Sequence, residues 1–406
     1  MEYGISLRES RPGAARRGAL SLTRQVRVAV VCDLREENWH SMNLVADSLI
    51  ERLGAGHAEQ FRAARVCPPL RRRFSRAGET EGRRFNADRL FNRLLDYPRH
   101  VARRRAEFDI FHVVDHSYAQ LVHHLPAERT VVTCHDLDTF RCLLEPDAEP
   151  RPRLFRAMTR RVLDGLRKAA RVTCDSEQTR AQLLAHDIVP PERVAVVHNG
   201  VSTLYAPAPD AEADAEARRL LGPTCAEAPE LLHVGSTVAR KRLDVLLRVF
   251  AEVRREFKGA RLVRVGGEFT ESQLALVDEL RLRDTIVVLP FLEARVLAAA
   301  YRRAALLLQP SEREGFGLPV AEALASGLPV LASDLPVLRE VGGDAASYRA
   351  AGDVMGWAEG AVSLLRQREE EPARWAARRA AGLAHARRFS WEEYARRMVS
   401  IYSELA

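Results

Sequence analysis

Residues 310–327, with the sequence PSEREGFGLPVAEALASG, decide the interpretation of this chain. The stretch follows an apolar run, residues 305–308, that predicts a strand, and it leads into a pattern typical of a helix. Gly315 and Gly317 allow the backbone to approach a ligand closely, and Pro319 suits the first turn of the helix. The N-terminus of such a helix presents unpaired N–H groups and the positive end of its dipole. We therefore predict an anion-binding site at this turn.

Two carboxylates flank the turn. Glu314 lies in the loop, and Glu322 lies one turn into the predicted helix. Because carboxylates accept paired hydroxyl hydrogen bonds well, one can reach a sugar beside bound phosphates while the other reaches a ribose. The alternative is an ordinary strand-to-helix turn with two solvated glutamates, which a lone Gly-x-Gly would favour. The full string of residues 310–327 favours the ligand site.

Apolar runs alternate with helical stretches along the whole chain, which is typical of βαβ units and parallel sheets. The helical stretches include residues 42–53 and 152–169. The pattern occurs twice. The predicted strands are residues 26–32, 110–114, 130–134, 171–174 and 194–197, and then 231–234, 260–265, 286–289, 305–308 and 329–332.

The chain has 406 residues, more than one hydrophobic core usually organises, so we expect two domains. A stretch rich in Ala, Pro and acidic residues between them predicts a surface linker. The expected order is a disordered tail (1–25), an N-terminal acceptor-binding domain (26–202), the linker (203–229), a C-terminal nucleotide-sugar-binding domain (230–385) and a helix that packs back toward the first domain (386–406).

The string Glu314-Gly-Phe-Gly-Leu-Pro-Val-Ala-Glu322 resembles the hallmark of glycosyltransferase family 4, in which two glutamates separated by seven residues enclose a Gly-Phe-Gly core. A looser likeness in the first half rests on residues 134–136, 175–179 and 198–201. The resemblance implies an α/β chain of the GT-B fold, with two Rossmann-like domains whose parallel sheets face each other across a cleft. It also implies retaining transfer of a sugar from a nucleotide-sugar donor to a glycan or lipid-linked acceptor.

The resemblance assigns roles within residues 310–327. Glu322 is expected to bind the ribose hydroxyls of the donor, and Glu314 the donor sugar. The backbone amides of four consecutive residues are expected to complete the phosphate cradle, namely Gly315, Phe316, Gly317 and Leu318.

In the family the second domain also supplies a basic pair after its first strand, and residues 235–244 occupy that place here. Lys241 falls on the family's lysine and is expected to neutralise the departing diphosphate, a role that replaces the metal ion of other transferases. We therefore expect no metal and no cofactor beyond the nucleotide sugar. Ser236 stands where the family has an arginine and is also expected to lie in the donor-binding site, while Arg240 or Arg242 is expected to supply the second phosphate contact. The alternative for Lys241 is a solvated side chain at the start of a helix.

His135 ends a predicted strand at the edge of the sheet where ligands bind in such folds. The family places a histidine there beside the donor sugar, so we expect His135 to be catalytic together with Glu314. A histidine with a purely structural role is the alternative. The acceptor-side candidates follow two other strands, and they are Asp115, His116, Glu36, Asn38 and Ser41.

His112 and His116 belong to a string that is similar to an inverted zinc-peptidase motif. That motif requires a helix to bring both histidines onto one face, whereas residues 109–114 predict a buried strand. We therefore expect no zinc site there.

The net charge of +7 comes almost entirely from arginine, since Lys168, Lys241 and Lys258 are the only lysines. Such a bias is typical of genomic base composition, and we expect no nucleic-acid partner. A local excess at residues 70–105 is the exception, and it predicts contact with an anionic membrane or a lipid diphosphate acceptor, with a solvated loop as the alternative. The chain has no apolar run of eighteen residues, no secretory signal and no Cys-x-x-Cys pair. We expect a cytoplasmic protein with peripheral contact at the inner face of the membrane.

Two other functions fit parts of this pattern. A noncatalytic nucleotide-sugar binding protein would keep Glu322 and Lys241 but would tolerate the loss of His135 and Glu314, and both are present. An epimerase or a phosphorylase of the same fold is the second alternative. A pyridoxal-dependent phosphorylase needs a Schiff-base lysine, and the remaining two lysines lie in helical contexts typical of solvent exposure.

Overall fold

The computed structural model describes residues 24–223 and 228–406. The predicted tail therefore lies outside the described residues, apart from Arg24 and Gln25. Each half of the chain forms one six-stranded parallel sheet covered by helices. The predicted α/β class with two parallel sheets is confirmed.

The first sheet consists of strands β1 (Val26–Val31), β2 (Phe61–Val66), β3 (Ile110–Val113), β4 (Thr130–Cys134), β5 (Arg171–Cys174) and β6 (Val194–Val196). Their order in the sheet is β2-β1-β3-β4-β5-β6. The helices of this half are α1 (His40–Gly56), α2 (Gly82–Phe91), α3 (Tyr97–Arg104), α4 (Arg141–Leu144), α5 (Arg153–Lys168) and α6 (Glu177–Ala185).

The second sheet consists of strands β7 (Glu230–Val234), β8 (Arg261–Val265), β9 (Ile286–Leu289), β10 (Leu306–Gln309), β11 (Val330–Ser333) and β12 (Ser347–Arg349). Their order is β12-β11-β10-β7-β8-β9. The remaining helices are α7 (Ala211–Leu221), α8 (Leu243–Glu256), α9 (Glu271–Glu279), α10 (Ala294–Arg303), α11 (Leu318–Ala325), α12 (Pro336–Gly342), α13 (Val354–Glu370), α14 (Pro372–Ala386) and α15 (Trp391–Ser403).

Both sheets are buried on their two faces, so each contributes to two hydrophobic clusters. This burial explains why the inner strands appear in the sequence as continuous apolar runs instead of an alternation. In both sheets the carboxyl ends of the strands lie at one edge, where the polar side chains of the site collect.

Two strands, β2 and β12, were not predicted, and each lies at an edge of its sheet. β2 has the sequence FRAARV with an exposed second residue, and all three residues of β12, SYR, are half-buried. An edge strand has only one neighbour and faces solvent more, so charged residues interrupt the apolar signal.

The predicted linker, residues 203–229, contains a helix and is therefore not irregular throughout. Asp210 caps α7 by accepting a hydrogen bond from the Ala213 N–H, at 3.2 Å. Ala213, Ala217 and Leu221 are buried at helical spacing, because α7 packs against α10. The acidic and alanine-rich composition that suggested a linker is also that of an amphipathic helix.

The C-terminal helix α15 packs on the first sheet. Trp391, Tyr394 and Met398 belong to the cluster that also contains residues of β1. The hydroxyl of Tyr402 lies 2.7 Å from Nδ1 of His112 in β3. His112 is thus a buried histidine within a strand, as predicted in preference to the zinc-peptidase motif.

None of the helices in the described part of the chain has both the length and the apolar character needed to span a bilayer. The five cysteines within that part are free thiols.

Candidate functional site

The turn between β10 and α11 forms the centre of the site. Gly317 adopts the left-handed region, with φ of 96°, and a Cβ there would lie 2.6 Å from Cδ2 of Leu338. A Cβ on Gly315 would lie 2.3 Å from the main-chain oxygen of His135. Gly317 is therefore favoured by its positive φ, and Gly315 is required by close approach to main-chain atoms, which brings this loop against the edge of the first sheet.

Glu314 is buried at the base of the loop and accepts hydrogen bonds from four side chains. The donors to its Oε1 are Lys241 Nζ at 2.6 Å, Ser311 Oγ at 2.7 Å and Gln309 Nε2 at 2.7 Å, and Arg240 Nη1 lies 3.3 Å from Oε2. Burial alone would raise the pKa of Glu314, but the charges of Lys241 and Arg240 and these hydrogen bonds lower it to about 2. The carboxylate is therefore ionised throughout the physiological range.

The turn after β7 supplies the two cations. Residues Ala239–Lys241 form a 3-10 turn, and the Glu312 N–H donates to the Arg240 carbonyl at 2.8 Å, which ties this turn to the Glu314 loop. Arg242 instead pairs with Asp244 at 2.9 Å. Of the two arginines considered as the second cation, the structure thus brings Arg240 to Glu314. Ser236 is half-buried in the same turn.

Glu322 lies in α11, buried against aromatic side chains of neighbouring segments. The Tyr301 hydroxyl donates to its Oε2 at 2.8 Å, and the Tyr301 ring packs edge-on against Tyr205. Burial raises the pKa of Glu322 to about 7, against the opposing effect of the tyrosine hydroxyls. Its carboxyl group therefore changes protonation state near neutral pH.

Phe316 belongs to the hydrophobic core of the second half. Its ring lies 6.2 Å from that of His198 and 5.6 Å from that of Phe389. Because the ring is buried, it is not available to a ligand, and the main-chain contact expected of Gly315, Phe316, Gly317 and Leu318 stays a prediction.

His135 turns its imidazole into the first half and its carbonyl toward the Gly315 loop. Nδ1 lies 2.9 Å from Asp175 Oδ2, and Nε2 lies 2.8 Å from the Val114 carbonyl. Burial would lower the pKa of His135, but the hydrogen bond and the charge of Asp175 outweigh it and raise the pKa to about 9. Since both partners are acceptors, the ring is an imidazolium that donates twice. The group that faces the second half is the main-chain oxygen, which accepts from Thr179 Oγ1 at 3.2 Å.

The acceptor-side candidates fall into two groups. Asp115 and His116 are buried at the carboxyl end of β3, where Asp115 accepts from the N–H and hydroxyl of Ser117 at 2.8 and 2.6 Å. His116 Nε2 lies 3.1 Å from Thr139 Oγ1. Asn38 is exposed on the loop that precedes α1, and Ser41 is exposed in the first turn of that helix. The structure does not bring these two groups into contact.

Glu36 also lies before α1, and its Oε1 accepts from the Leu70 N–H at 3.3 Å. It therefore ties two loops of the first half together. Nearby, Asp33 is buried at the end of β1 with no hydrogen-bond partner among the described residues for either oxygen. Burial, and then the charge of Asp115, raises the pKa of Asp33 well above its usual range.

Arg264 and His233 are site residues that the sequence interpretation missed. Nη2 of Arg264 donates to the carbonyls of Gly235 at 2.9 Å and Gly266 at 3.2 Å, at the ends of β7 and β8. His233 lies opposite Arg264 in the sheet, and burial followed by the charges of Arg264 and Lys241 lowers its pKa to about 3. The sequence feature that could have indicated Arg264 is its position inside an otherwise apolar strand, LVRV at residues 262–265.

The two halves contact each other across the site. Asp138 of the first half lies 3.2 Å from Arg313 and 3.5 Å from Arg240, and Ser176 Oγ donates to the Gly315 carbonyl at 2.8 Å. A cavity of about 80 Å³ remains between them. Small-molecule sites usually measure about 300–1,000 Å³, so we expect the halves to separate when a ligand of that size binds in this cavity.

Comparisons with known proteins agree with this geometry. A family model described as Glycosyltransferase Family 4 matches residues 45–204, and one described as Glycosyl transferases group 1 matches residues 225–380. The chain belongs to glycosyltransferase family 4. A curated family 4 relative is the D-inositol 3-phosphate glycosyltransferase of Thermobispora bispora, 34% identical over 253 residues, or 58% of this chain and 56% of that protein.

The O-antigen chain mannosyltransferase B of Escherichia coli is 28% identical over 286 residues, or 68% of this chain and 71% of that protein. The chain thus spans about half the length of the inositol-phosphate relative and somewhat more of the mannosyltransferase. HepE of Anabaena, solved in complex with UDP and glucose, aligns with a TM-score of 0.68 and 14% identity over 94% of this chain and all of that one. This likeness shows that the family 4 chain has the GT-B fold.

Proposed function

We propose that this chain is a retaining glycosyltransferase that transfers a sugar from a nucleotide-sugar donor to a glycan or lipid-linked acceptor. The observation that carries the proposal is the convergence of Glu314, Lys241 and Arg240 beside the N-terminus of α11, with Glu322 on the same helix. The relatives named above act as glycosyltransferases, and HepE was solved with a nucleotide and a sugar.

Each charged group has a part of the donor to bind. Lys241 and Arg240, with the amides at the start of α11, hold the diphosphate, so the chain's own cations supply the positive charge there and no metal is required. Glu314 accepts hydrogen bonds from hydroxyls of the donor sugar. Glu322 accepts them from the ribose diol.

The reaction proceeds on one face of the sugar. The bond between the anomeric carbon and the phosphate oxygen breaks, a bond from that carbon to the acceptor oxygen forms, and the acceptor proton passes to the departing phosphate oxygen. The carbonyl of His135, which faces the donor loop, places the negative end of a fixed dipole near the positive charge that develops on the sugar. Asp175 and the Val114 carbonyl position that residue by holding its imidazolium.

An anionic membrane is the partner that the surface of the first half fits. Phe74, Leu90, Phe91 and Leu95 are exposed by 39–47%, and the rings of Phe74 and Phe91 lie 5.5 Å apart. Exposed arginines lie within the same stretch of the chain, namely Arg71, Arg73, Arg76, Arg83 and Arg84, and the Arg73 guanidinium lies 5.8 Å from the centre of the Phe91 ring. Apolar side chains among cations are typical of interfacial membrane binding. The same surface would bring a lipid-linked acceptor to the cleft, and a cytoplasmic location stays a prediction.

The test is a thermal-shift and donor-hydrolysis panel with UDP-, GDP- and ADP-sugars in EDTA. We expect one nucleotide class to stabilise the wild type and Glu322→Ala to lose that response. Stabilisation without hydrolysis or transfer to any acceptor would favour the noncatalytic binding protein, and no response to any donor would contradict the donor site. The anomeric configuration of the product, read by NMR, decides between retention and inversion.

A further inference from the structure

A second polar cavity lies outside the cleft, between the edge strand β12 and the helices α13 and α14. Its volume is about 210 Å³, many times the ~10–15 Å³ that a single water molecule needs. It is lined almost wholly by polar side chains, and the ones that matter here are Ser347, Arg349, Ser363, Arg374 and Arg378. None of these residues belongs to the donor site.

Two of the arginines are held in place by neutral acceptors. Nε and Nη1 of Arg349 each donate to a main-chain carbonyl at 2.8 Å. Nε of Arg378 donates to Gln367 Oε1 at 3.1 Å, and Nη1 donates to Ser347 Oγ at 3.2 Å. Within residues 24–223 and 228–406, no carboxylate comes within the 4.0 Å of an ion pair to either guanidinium.

The third arginine adds charge to the same cavity. Arg374 pairs with Glu371 at 3.2 Å, and the pair is exposed, by 66% and 49%. Three arginines and one glutamate leave the lining with a charge of +2. Burial and then the charge of Arg374 lower the pKa of Arg378, so the positive charge is incompletely balanced.

The packing of Arg349 preserves this arrangement. A Cβ on Gly360 would lie 2.9–3.0 Å from its guanidinium atoms, so a larger residue at position 360 would force this group to shift. Its Nη2, like that of Arg378, donates no hydrogen bond to the described residues. The guanidinium groups of Arg349 and Arg378 are therefore each held by hydrogen bonds from Nε and Nη1, and the Nη2 of each is available to donate to a ligand.

We propose that this cavity binds a phosphate dianion, as inorganic phosphate or as the phosphoryl group of a small sugar phosphate. Guanidinium forks match the oxygen geometry of phosphate, and a dianion balances the charge of +2. The volume accommodates a phosphate with part of an attached sugar, and the hydroxyls of Ser347 and Ser363 complete the polar lining. The site is independent of the function proposed for the cleft.

Isothermal titration with inorganic phosphate and with glucose 6-phosphate tests the site, with glucose as the uncharged control. We expect Arg378→Gln to weaken binding at least tenfold and Arg374→Gln, at an exposed position, to weaken it several-fold. Lys241→Ala, which removes a cation of the cleft, and Arg283→Gln, which removes an exposed arginine of the same half, are expected to bind like the wild type. The tighter of the two probes identifies the form of phosphate.

A second variant tests the charge directly. Ser363→Glu places a carboxylate at the cavity and is expected to raise the Tm and abolish the response to phosphate, whereas Ser363→Gln, of equal length, retains the response. Unchanged binding in both arginine variants, loss of binding in Lys241→Ala alone, or no heat with either probe would overturn the proposal.

Discussion

Nζ of Lys241 lies 2.6 Å from Oε1 of Glu314, and both side chains are almost completely buried. The two groups proposed to bind different parts of the donor thus neutralise each other in the absence of a ligand. A buried pair of this kind leaves a costly isolated charge when one member is removed. We therefore expect that a donor which takes either group away from its partner also supplies a new partner in its place.

Lys241→Ala is expected to lower kcat by about 10²–10³, because one fixed cation no longer stabilises the departing diphosphate. It should also lower the Tm, since Glu314 stays buried with fewer partners. Steady-state kinetics and a melting curve measure both effects. Lys258→Ala, at an exposed lysine of the same half, is the control, and equal turnover in the two variants would contradict the role of Lys241.

Donor affinity is expected to rise as the pH increases through about 7, because the ribose diol binds best to the ionised form of Glu322. A nucleotide sugar is the appropriate ligand, since its diphosphate diester does not titrate in this range. Glu322→Gln should weaken binding and remove the pH dependence. A wild-type binding curve that is flat from pH 5.5 to 8.5 would refute the assignment.

The carboxyl group of Glu322 also makes the stability of the fold depend on pH, but stability falls as the pH rises, whereas donor affinity is expected to increase. Its pKa in the folded state, about 7, exceeds the ordinary value of 4.5, so the free energy of unfolding falls as the pH rises between these values. We expect Glu322→Gln to be more stable than the wild type at pH 8, by about 3 kcal/mol at most, and similar to it at pH 4.5. Denaturant unfolding at the two pH values measures the difference.

His135 and Asp175 contribute stability below pH 6.5 that is lost as the pH rises through about 9, because folding raises the pKa of the imidazolium. Asp175→Asn should remove about 3 kcal/mol of this contribution at pH 6.5 and little at pH 10. Melting curves across this range measure the effect. Asp164→Asn, in an exposed ion pair of the same half, should show no such pH dependence.

Asp138→Asn is expected to ease the separation of the halves, because Asp138 pairs with both Arg240 and Arg313. Partly exposed pairs contribute about 0–1 kcal/mol each, so the loss of both should increase donor affinity by up to about thirtyfold. Calorimetric Kd and the radius of gyration in solution report on the change. Asp244→Asn, within the second half, serves as the control, and a weaker affinity in Asp138→Asn alone would contradict the expectation.

Phe74→Ser with Phe91→Ser is expected to abolish sedimentation with phosphatidylglycerol vesicles while leaving the Tm nearly unchanged, because both rings are exposed. Phe155→Ser, at a similarly exposed aromatic residue of the same half, is the matched control. Binding that persists in the double variant, or equal binding to phosphatidylcholine, would exclude the patch as the membrane contact.

The sequence predicts ten of the twelve strands because each contains a run of mostly apolar residues, even where Arg27 in β1 and Arg264 in β8 interrupt it. The strands β2 (FRAARV) and β12 (SYR) contain too few apolar residues to meet this criterion. The anion-binding turn was predictable because Gly315, Gly317 and Pro319 each have a local physical reason. The hydrogen-bond partners of the site's side chains could not be predicted from the sequence. The orientation of His135 depends on Asp175 and on a carbonyl of another strand, and the contact of Glu322 with Tyr301 joins two helices. Such contacts depend on packing between segments that are far apart in the chain, and local sequence patterns carry no information about that packing.

The position of α15 bears on how the protein is made. Trp391, Met398 and Tyr402 complete the core of a sheet whose first strand begins at Val26. During synthesis on the ribosome, one face of the first sheet is therefore expected to lack its apolar cover until α15 emerges. The second half, although it is synthesised later, already has all of its strands by then. The domain that begins first is finished last, so shortening the chain before Trp391 should expose the nascent first domain to chaperones and proteases.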